Sequence, residues 1–401
     1  MDLFWRRCVA MCLVVMVLQV VVPPAQSVAA SCQDRGSGAH APTTGAIFND
    51  PAGSTADQYR ILSTIKKNID GTPAGGVIRI ATLKIDTASI VKALVRAHIC
   101  GVRVRILVPG RAWRDPAVLE LREELGKDTA RKSWISSCEG ACTTTGTQGI
   151  MHAKLHLFSK VVGAEDVTMY DSGNFVHTQA TARYNDAYQV VGDADVYASA
   201  RAYFGTLKQN EPTSYPRLTS SAGYRQYYFP EHDDFHHEVL ERTRCRTDDA
   251  RSTVDFAVSI WKRRDVVKAL AELEVADCDV KVVVSVAKAD RAVLQGLYRH
   301  KIPTHVQSME DGDLTTHDKY LAIRGTHRGR QVRTVYCGSL NVSRFSARVA
   351  DNVMLRVVDD PTAYRAYHQH FMTMWEQSRP LRRSDIRSAS KLDAGAAEAL
   401  S

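Results

Sequence analysis

An α/β fold made of two similar halves is predicted by three observations. A strand, helix, strand pattern runs through residues 77–108. It returns later in the chain at a constant offset. The segment Met151-His152-Ala153-Lys154-Leu155-His156-Leu157-Phe158, followed by Asp171-Ser172-Gly173-Asn174, has a counterpart in Thr316-His317-Asp318-Lys319-Tyr320-Leu321, followed by Gly338-Ser339-Leu340-Asn341.

The elements follow in order. A helix is expected over roughly 56–69, then an apolar strand over 77–83, a helix around 90–97 and a second strand over 102–108, which together make a parallel crossover unit. Val91-Lys92-Ala93-Leu94 recurs as Val267-Lys268-Ala269-Leu270, an offset of 176 that also relates 77–83 to 253–259 and 104–108 to 280–284. Further on the offset is 167, which relates Ser172 to Ser339, Asn174 to Asn341, Asn185 to Asn352, Val190-Val191 to Val357-Val358 and Tyr197 to Tyr364. The chain therefore reads as a tandem duplication. The change of offset lies in a longer insertion in the first half, about 109–150, which carries Trp113, Trp134, Cys138 and Cys142 and reads as a lid, a specificity loop or surface decoration.

The halves are expected at 46–208 and 222–383, joined by a Pro/Ser/Thr/Asn-rich linker at 209–221. Residues 31–45 read as a flexible lead-in and 384–401 as a fraying tail. Ahead of them, Arg6-Arg7, an apolar run from Val9 to Val22, Pro23-Pro24 and small residues through Ala30 have the layout of a secretory signal peptide over 1–30. About fourteen apolar residues fall short of the roughly twenty that cross a bilayer. Lipidation at Cys32 is the less favoured alternative, since Ala29-Ala30-Ser31-Cys32 lacks the large aliphatic residue of a lipoprotein box.

Composition fits that location. Of 401 residues 44% are hydrophobic, enough for one large core or two ordinary ones, and 52 basic against 44 acidic residues leave a formal charge of +8. The surplus favours anionic partners: phosphates, anionic lipid surfaces or nucleic acid. Without Cys8 and Cys12 seven cysteines remain, Cys32, Cys100, Cys138, Cys142, Cys245, Cys278 and Cys337, of which an oxidising compartment leaves at least one unpaired. The spacing of Cys138 and Cys142 suggests a local disulfide; a zinc site is the weaker rival.

Chemistry enters through the repeated motif. In extended chain, side chains two apart share a face, so His152 projects with Lys154, Ser172 with Asn174, His317 with Lys319 and Ser339 with Asn341. Each half offers an imidazole, an ammonium, a hydroxyl and an amide. Displacing an alkoxide from a phosphodiester needs a nucleophile, a proton for the leaving oxygen and positive charge around the non-bridging oxygens. Two facing imidazoles can divide the first two tasks, and Lys154, Lys319, Ser172, Ser339, Asn174 and Asn341 would hold the phosphoryl oxygens. No metal or other cofactor is called for, and an ammonium two residues from each histidine would repel a cation.

Two His-x-Lys motifs, each with a downstream Ser-x-Asn and embedded in a duplication, resemble the phospholipase D superfamily across most of the chain beyond residue 30. The resemblance implies mixed sheets with flanking helices about a pseudo-twofold axis, one active site per pair of motifs and a working monomer. It further implies His152 as nucleophile and His317 as general acid/base. This chain departs from the family's pattern: Ser159 and Arg324 stand where each motif ends in Asp, and Asp171 replaces the Gly before Ser172, which would stiffen that loop. Relatives that cleave protein–DNA adducts also lack that Asp. Histidine orientation must then come from elsewhere; Asp186 and Asp351 are the nearest acids and candidates for it, although the offset does not match them to each other.

Other residues read as structural. His156 continues the alternation and is expected to be buried and hydrogen-bonded beneath the site. His232, His236 and His237, among Asp233, Asp234 and Glu238, are expected at a helix start rather than around a metal. Trp113 and Trp134 could edge a lipid-facing mouth, whereas Trp261 reads as core. The expected activity is a secreted phosphodiesterase that hydrolyses phospholipid head groups, in peripheral contact with a membrane. A secreted nuclease drawn to the phosphate backbone is one alternative, and a decayed member that only binds anionic surfaces is another.

Overall fold

The computed structural model describes Cys32 and residues 41–389, apart from 145–146, 213, 231–233, 248–249, 308–313 and 328. The N-terminal segment read as a signal peptide, together with His232, Asp233 and residues 390–401, lies outside the described residues.

Both expected crossover units are present. In the first half the strands Val77–Ala81 and Arg103–Pro109 are parallel, bridged by the helix Ala88–Ile99. The helix buries Ile90, Val91, Ala93, Leu94 and Ala97, an apolar stripe at the 3.6-residue period. Leu155–Val161 runs antiparallel to Val77–Ala81 and turns back into Ala164–Asp171. The second half repeats this with Thr253–Val258 and Asp279–Ser285 parallel around the helix Arg264–Val275, and with Lys319–His327 antiparallel to Thr253–Val258 and hairpinned to Arg330–Gly338. The duplication inferred from the two offsets is thus a duplication of mixed-sheet topology.

Each sheet has one face under its own helices and the other against its twin. The first outer core joins Ile65, Ile69, Leu94, Val104 and Phe158, and the second joins Val254, Leu270, Val280, Leu294 and Ile323. Between the sheets lies a third core, with Leu155, Leu157, Tyr170 and Tyr188 from one side and Ala257, Tyr320, Val335 and Leu355 from the other. The helices Ala194–Gln209 and Pro361–Glu376 contribute Phe204, Leu207, Tyr367 and Phe371 to it. Burying tyrosines there requires partners for their hydroxyls, and Tyr203 donates to Phe229 O at 2.7 Å while Tyr228 donates to Gln226 Oε1 at 2.9 Å.

The two halves also exchange strands. Ile150–Met151 pairs in parallel with Ala350 and Asp351, and Thr315–Thr316 pairs in parallel with Arg183 and Tyr184. The 167-residue offset carries Arg183 and Tyr184 onto Ala350 and Asp351, so the exchange obeys the pseudo-twofold. Approach at this seam is close. A Cβ at Gly149, whose φ is +81°, would lie 1.8 Å from Val349 O, so only glycine fits.

Four expectations need correction. Much of the 109–150 insertion is regular: a helix at Pro116–Leu125 leads to Trp134–Cys138, a further parallel strand beside Arg103–Pro109 that takes the place Thr304–Gln307 takes in the second sheet. Trp134 is consequently buried in the core between the sheets and edges no lipid-facing mouth, while half-buried Trp113 lies under the Arg122 guanidinium at 4.1 Å. The lead-in ends in a strand, Gly45–Phe48, paired with Asp186–Val190, and the linker contains Leu218–Ser220, paired with Tyr224–Phe229. Residues read as the start of a fraying tail form the helix Arg383–Ser388, because the Asp385 carboxylate accepts both Arg379 Nη groups at 2.9 Å and Ile386 is buried.

The cysteines pair as Cys32–Cys100, Cys138–Cys142 and Cys245–Cys278, leaving Cys337 free and buried. The local disulfide expected at 138 and 142 is there. No helix among the described residues is long and apolar enough to cross a membrane.

Candidate active site

The eight motif residues are delivered to one place by the strand exchange. Each His-x-Lys sits where an exchanged strand leaves the seam and enters the centre of its own sheet. His152 N donates to Asp351 O at 3.0 Å, and His317 N donates to Tyr184 O at 2.8 Å. Each histidine's backbone is therefore held by the opposite half. The lysines fold back alike, Lys154 Nζ donating to His152 O at 2.9 Å and Lys319 Nζ to His317 O at 2.7 Å. Lys319 Nζ also reaches Ser172 O of the first half, at 3.3 Å.

The imidazoles are oriented by amides, which corrects the candidacy of Asp186 and Asp351 for that role. His152 Nδ1 lies 2.8 Å from Asn352 Oδ1, and His317 Nδ1 lies 3.0 Å from Asn185 Oδ1. Both bonds cross between halves. The amide orientation is decided by its other end: Asn352 Nδ2 donates to Ser346 O at 2.9 Å, and Asn185 Nδ2 donates to Gln179 O and Arg183 O at 2.8 and 3.1 Å. A carbonyl cannot donate, so Nδ2 must face it and Oδ1 must face the ring. Each Nδ1 is then the protonated nitrogen and each Nε2 carries the lone pair. Lys319 Nζ lies 3.1 Å from His317 Nδ1, and the fixed Asn185 amide still assigns the proton to that nitrogen.

Burial pushes both imidazoles well below the usual histidine range, and the Lys154 and Lys319 ammonium groups push them further. His317 also feels Lys288 and Arg183, whereas Arg111 acts on His152. All eight side chains are buried.

The serines and asparagines divide the remaining work. Asp186 N donates to Ser172 Oγ at 2.9 Å and Val353 N to Ser339 Oγ at 3.0 Å, a matched pair of braces. Ser339 Oγ also donates to Asn352 Oδ1 at 2.9 Å, so its proton serves the amide that orients His152. Asn341 Oδ1 accepts from Ile260 N at 3.3 Å, while its buried Nδ2 has no hydrogen-bond partner among the described residues. A buried amide donor without an acceptor awaits one, and a phosphoryl oxygen is such an acceptor.

The acids sit behind this layer. Asp351 accepts from Cys142 N at 2.6 Å and from Thr143 Oγ1 at 2.5 Å, clamping the disulfide loop to the seam; burial still raises it to about 7. Asp186 accepts from Lys319 N and Tyr367 Oη, both at 3.2 Å, and burial followed by the neighbouring Asp318 raises it well above the carboxylate range. Asp318 in turn contacts His370 Nε2 at 3.2 Å. The missing motif acids have other duties: Ser159 Oγ accepts from Val77 N at 2.9 Å, and Arg324 is exposed. Asp171 accepts from the Gly173 amide at 2.7 Å. His156 is buried beneath the site, but its nearest polar neighbour is Asp171 Oδ2 at 3.5 Å, too long for the expected hydrogen bond.

His236 is buried between Phe235 and Phe256 and is pushed down to about 3 by burial. No group of His, Cys, Asp and Glu among the described residues is arranged to hold a metal ion. The orienting asparagines were the functional residues missed from sequence. Their match at the 167-residue offset, which the acids lack, was the available signal.

Comparison with known proteins bears on the fold and the family. The chain superposes on the phosphatidylserine synthase of Haemophilus influenzae with a TM-score of 0.57 at 12% identity, covering 94% of this chain and 96% of that one. It superposes on a polyphosphate kinase from Porphyromonas gingivalis with a TM-score of 0.53 at 16% identity, covering 83% of this chain but spanning only half the length of the kinase. Both likenesses show the fold alone. No curated protein matches the sequence. The profile of the family described as "Cardiolipin synthase, PLD-like domain" matches residues 72–208 and 244–375, one segment around each motif and more than half of the chain. With two such segments over more than half of its length, the chain belongs to that phospholipase D-like family, whose members act on phosphodiester bonds.

Proposed function

We propose that the protein is an exported, metal-independent phosphodiesterase that hydrolyses phospholipid head groups through a phosphohistidine intermediate. The observation that carries this reading is the crossed pair of His–Asn bonds, which leaves both Nε2 lone pairs in a pocket with two ammonium groups. In the first step His152 Nε2 attacks phosphorus, the bond to the leaving oxygen breaks, and that oxygen takes a proton from His317 Nε2. In the second, neutral His317 removes a proton from water. The hydroxide oxygen bonds phosphorus, the N–P bond breaks and its electron pair returns to His152. Lys154, Lys319 and the Asn341 amide hold the non-bridging oxygens, with Asn174 opposite.

The proton on His317 is made available by the substrate. In the empty site the ammonium groups disfavour imidazolium, and a bound diester anion offsets them. Export is proposed on the layout of residues 1–30 and is supported by three disulfides. The head-group assignment is tested by incubating the protein, with EDTA present, with phosphatidylcholine vesicles and with single- and double-stranded DNA. Choline release supports it. DNA cleavage with a steep salt dependence would move the assignment to a nuclease, the reading that the +8 charge favours. Silence on every substrate, with binding to anionic surfaces retained, would refute catalysis altogether.

A further inference from the structure

The second half carries a groove of about 790 Å³ that the catalytic site does not use. Its walls are two helices, Arg291–Arg299 and Arg383–Ser388. Arg291, Arg299 and Lys301 line it from one side, and Arg383 and Arg387 from the other. Residues four and eight apart share a helix face, so each wall presents a stripe of cations rather than a scatter. Among the described residues no carboxylate lines the groove, and none of the five cations has an ion-pair partner. The nearby acids are occupied: Asp385 holds Arg379 and the Arg382 amide, and Asp290 caps Ala292 N. Five exposed positive charges are thus held around one concavity without compensation from the described residues.

The groove is separate from the catalytic pocket. Lys319 is level with Val258, Val258 with Val284 and Val284 with Val306, which places it three strands away from the strand that starts the groove floor at Thr304. At ~4.8 Å per strand and ~3.3 Å per residue, Thr304 lies roughly 16 Å from Lys319.

We propose that this groove is a docking site for anionic phospholipid in a membrane surface. The cations supply charge complementarity to phosphate, and the floor supplies the rest of the match. Ile302, Pro380, Leu381 and Ile386 are aliphatic and lie directly under the cations, as an amphiphile with a phosphate and a hydrocarbon portion requires. Tyr298, exposed at the rim, suits the boundary between headgroups and water. A groove for single-stranded nucleic acid would want several aromatic platforms, and Tyr298 is the one aromatic here. The volume falls within the range of small-molecule sites. The site is independent of which diester the catalytic pocket hydrolyses.

The test is sedimentation of the purified protein with vesicles of phosphatidylcholine alone and of phosphatidylcholine containing phosphatidylglycerol. The variants are R383Q/R387Q and a control pair of exposed cations elsewhere, K127Q/R131Q. Wild type should partition onto the anionic vesicles, and R383Q/R387Q should lose roughly 30-fold, the equivalent of about 1 kcal/mol for each charge. The control pair should lose less than threefold. Both pairs should retain wild-type turnover of bis-p-nitrophenyl phosphate, which shows that they fold. Equal partitioning of R383Q/R387Q and wild type overturns the proposal. An equal loss in the control pair also overturns it, since net charge would then suffice. Loss of oligonucleotide binding in R383Q/R387Q with vesicle binding intact overturns it in favour of a nucleic-acid site.

Discussion

Replacing Asn352 or Asn185 by alanine removes the acceptor from one histidine at a time, and the two losses should appear in different steps. Asn352→Ala leaves His152 Nδ1 without its 2.8 Å partner, and Asn185→Ala leaves His317 Nδ1 without its 3.0 Å partner. Each ring carries positive charge at some point in the cycle, and a hydrogen bond from a charged group contributes about 1.5–3 kcal/mol. At about 1.36 kcal/mol per decade the affected step slows roughly 10- to 150-fold. The assay is stopped flow with bis-p-nitrophenyl phosphate, whose leaving phenolate needs little help from an acid. Attack by His152 then governs the burst, and water activation by His317 governs turnover. Asn352→Ala should slow the burst by that factor. Asn185→Ala should leave the burst within about threefold and slow turnover, so that phosphoenzyme accumulates. The opposite pattern would reverse the assignment of nucleophile and acid. If both variants kept wild-type burst and turnover within twofold while folding normally, the crossed hydrogen bonds would have no catalytic part.

Depression of both imidazoles in the empty site predicts that kcat/KM, which reports free enzyme, peaks at lower pH than kcat, which reports the complex with its bound anion; coincident optima would refute this. Burial raises Asp351 to about 7, so the folded protein keeps a proton that the unfolded chain has released. Its contribution to stability is complete below about pH 4 and is lost as pH rises to 7, on the order of 4 kcal/mol at most. Calorimetry should show wild-type Tm falling against that of Asp351→Asn across this window, and parallel curves would remove Asp351 as the cause. The Cys138–Cys142 loop holds the seam, with Gly140 O accepting from Met151 N at 3.1 Å and Cys142 N donating to Asp351. Replacing both cysteines by alanine should lower kcat roughly 30-fold, from two hydrogen bonds of about 1 kcal/mol each, and unchanged kcat would sever the loop from catalysis.

What the sequence made legible was whatever repeats at short range. Apolar periods, the two-residue spacing of His and Lys and the two offsets specified the halves and the eight motif residues. Trp134 was misread because its strand, Trp134–Cys138, is short and half polar, and only the edge left open by Arg103–Pro109 makes it part of the sheet. The helix at Arg383–Ser388 was hidden for a similar reason, since its anchor is a tertiary ion pair to Arg379. The orienting residues were sought among acids, because a carboxylate is the stronger partner for an imidazole. The structure selects asparagine because Nδ2 must meet a backbone carbonyl, and a carboxylate at 352 or 185 would face Ser346 O or Gln179 O with like charge.

Internal comparison of the halves separates what the site requires from what it tolerates. Positions within a half have diverged under the 167-residue offset: Asp171 stands against Gly338 and Asp351 against Tyr184. Asp318 and Asp186 form a buried acid network behind Lys319, where the twofold-related positions behind Lys154 hold only Ala153 and Val353. The features that cross the seam have stayed alike, namely the exchanged parallel strands, the backbone bonds to His152 N and His317 N and the His–Asn pairs. A half that lost its asparagine would disarm the histidine of its twin, so neither can drift at that position without penalty to both. Reciprocal bracing thus explains how one pocket stays twofold in its reacting groups while the surrounding charges grow unequal, and it is that inequality which allows two chemically identical rings to take different roles.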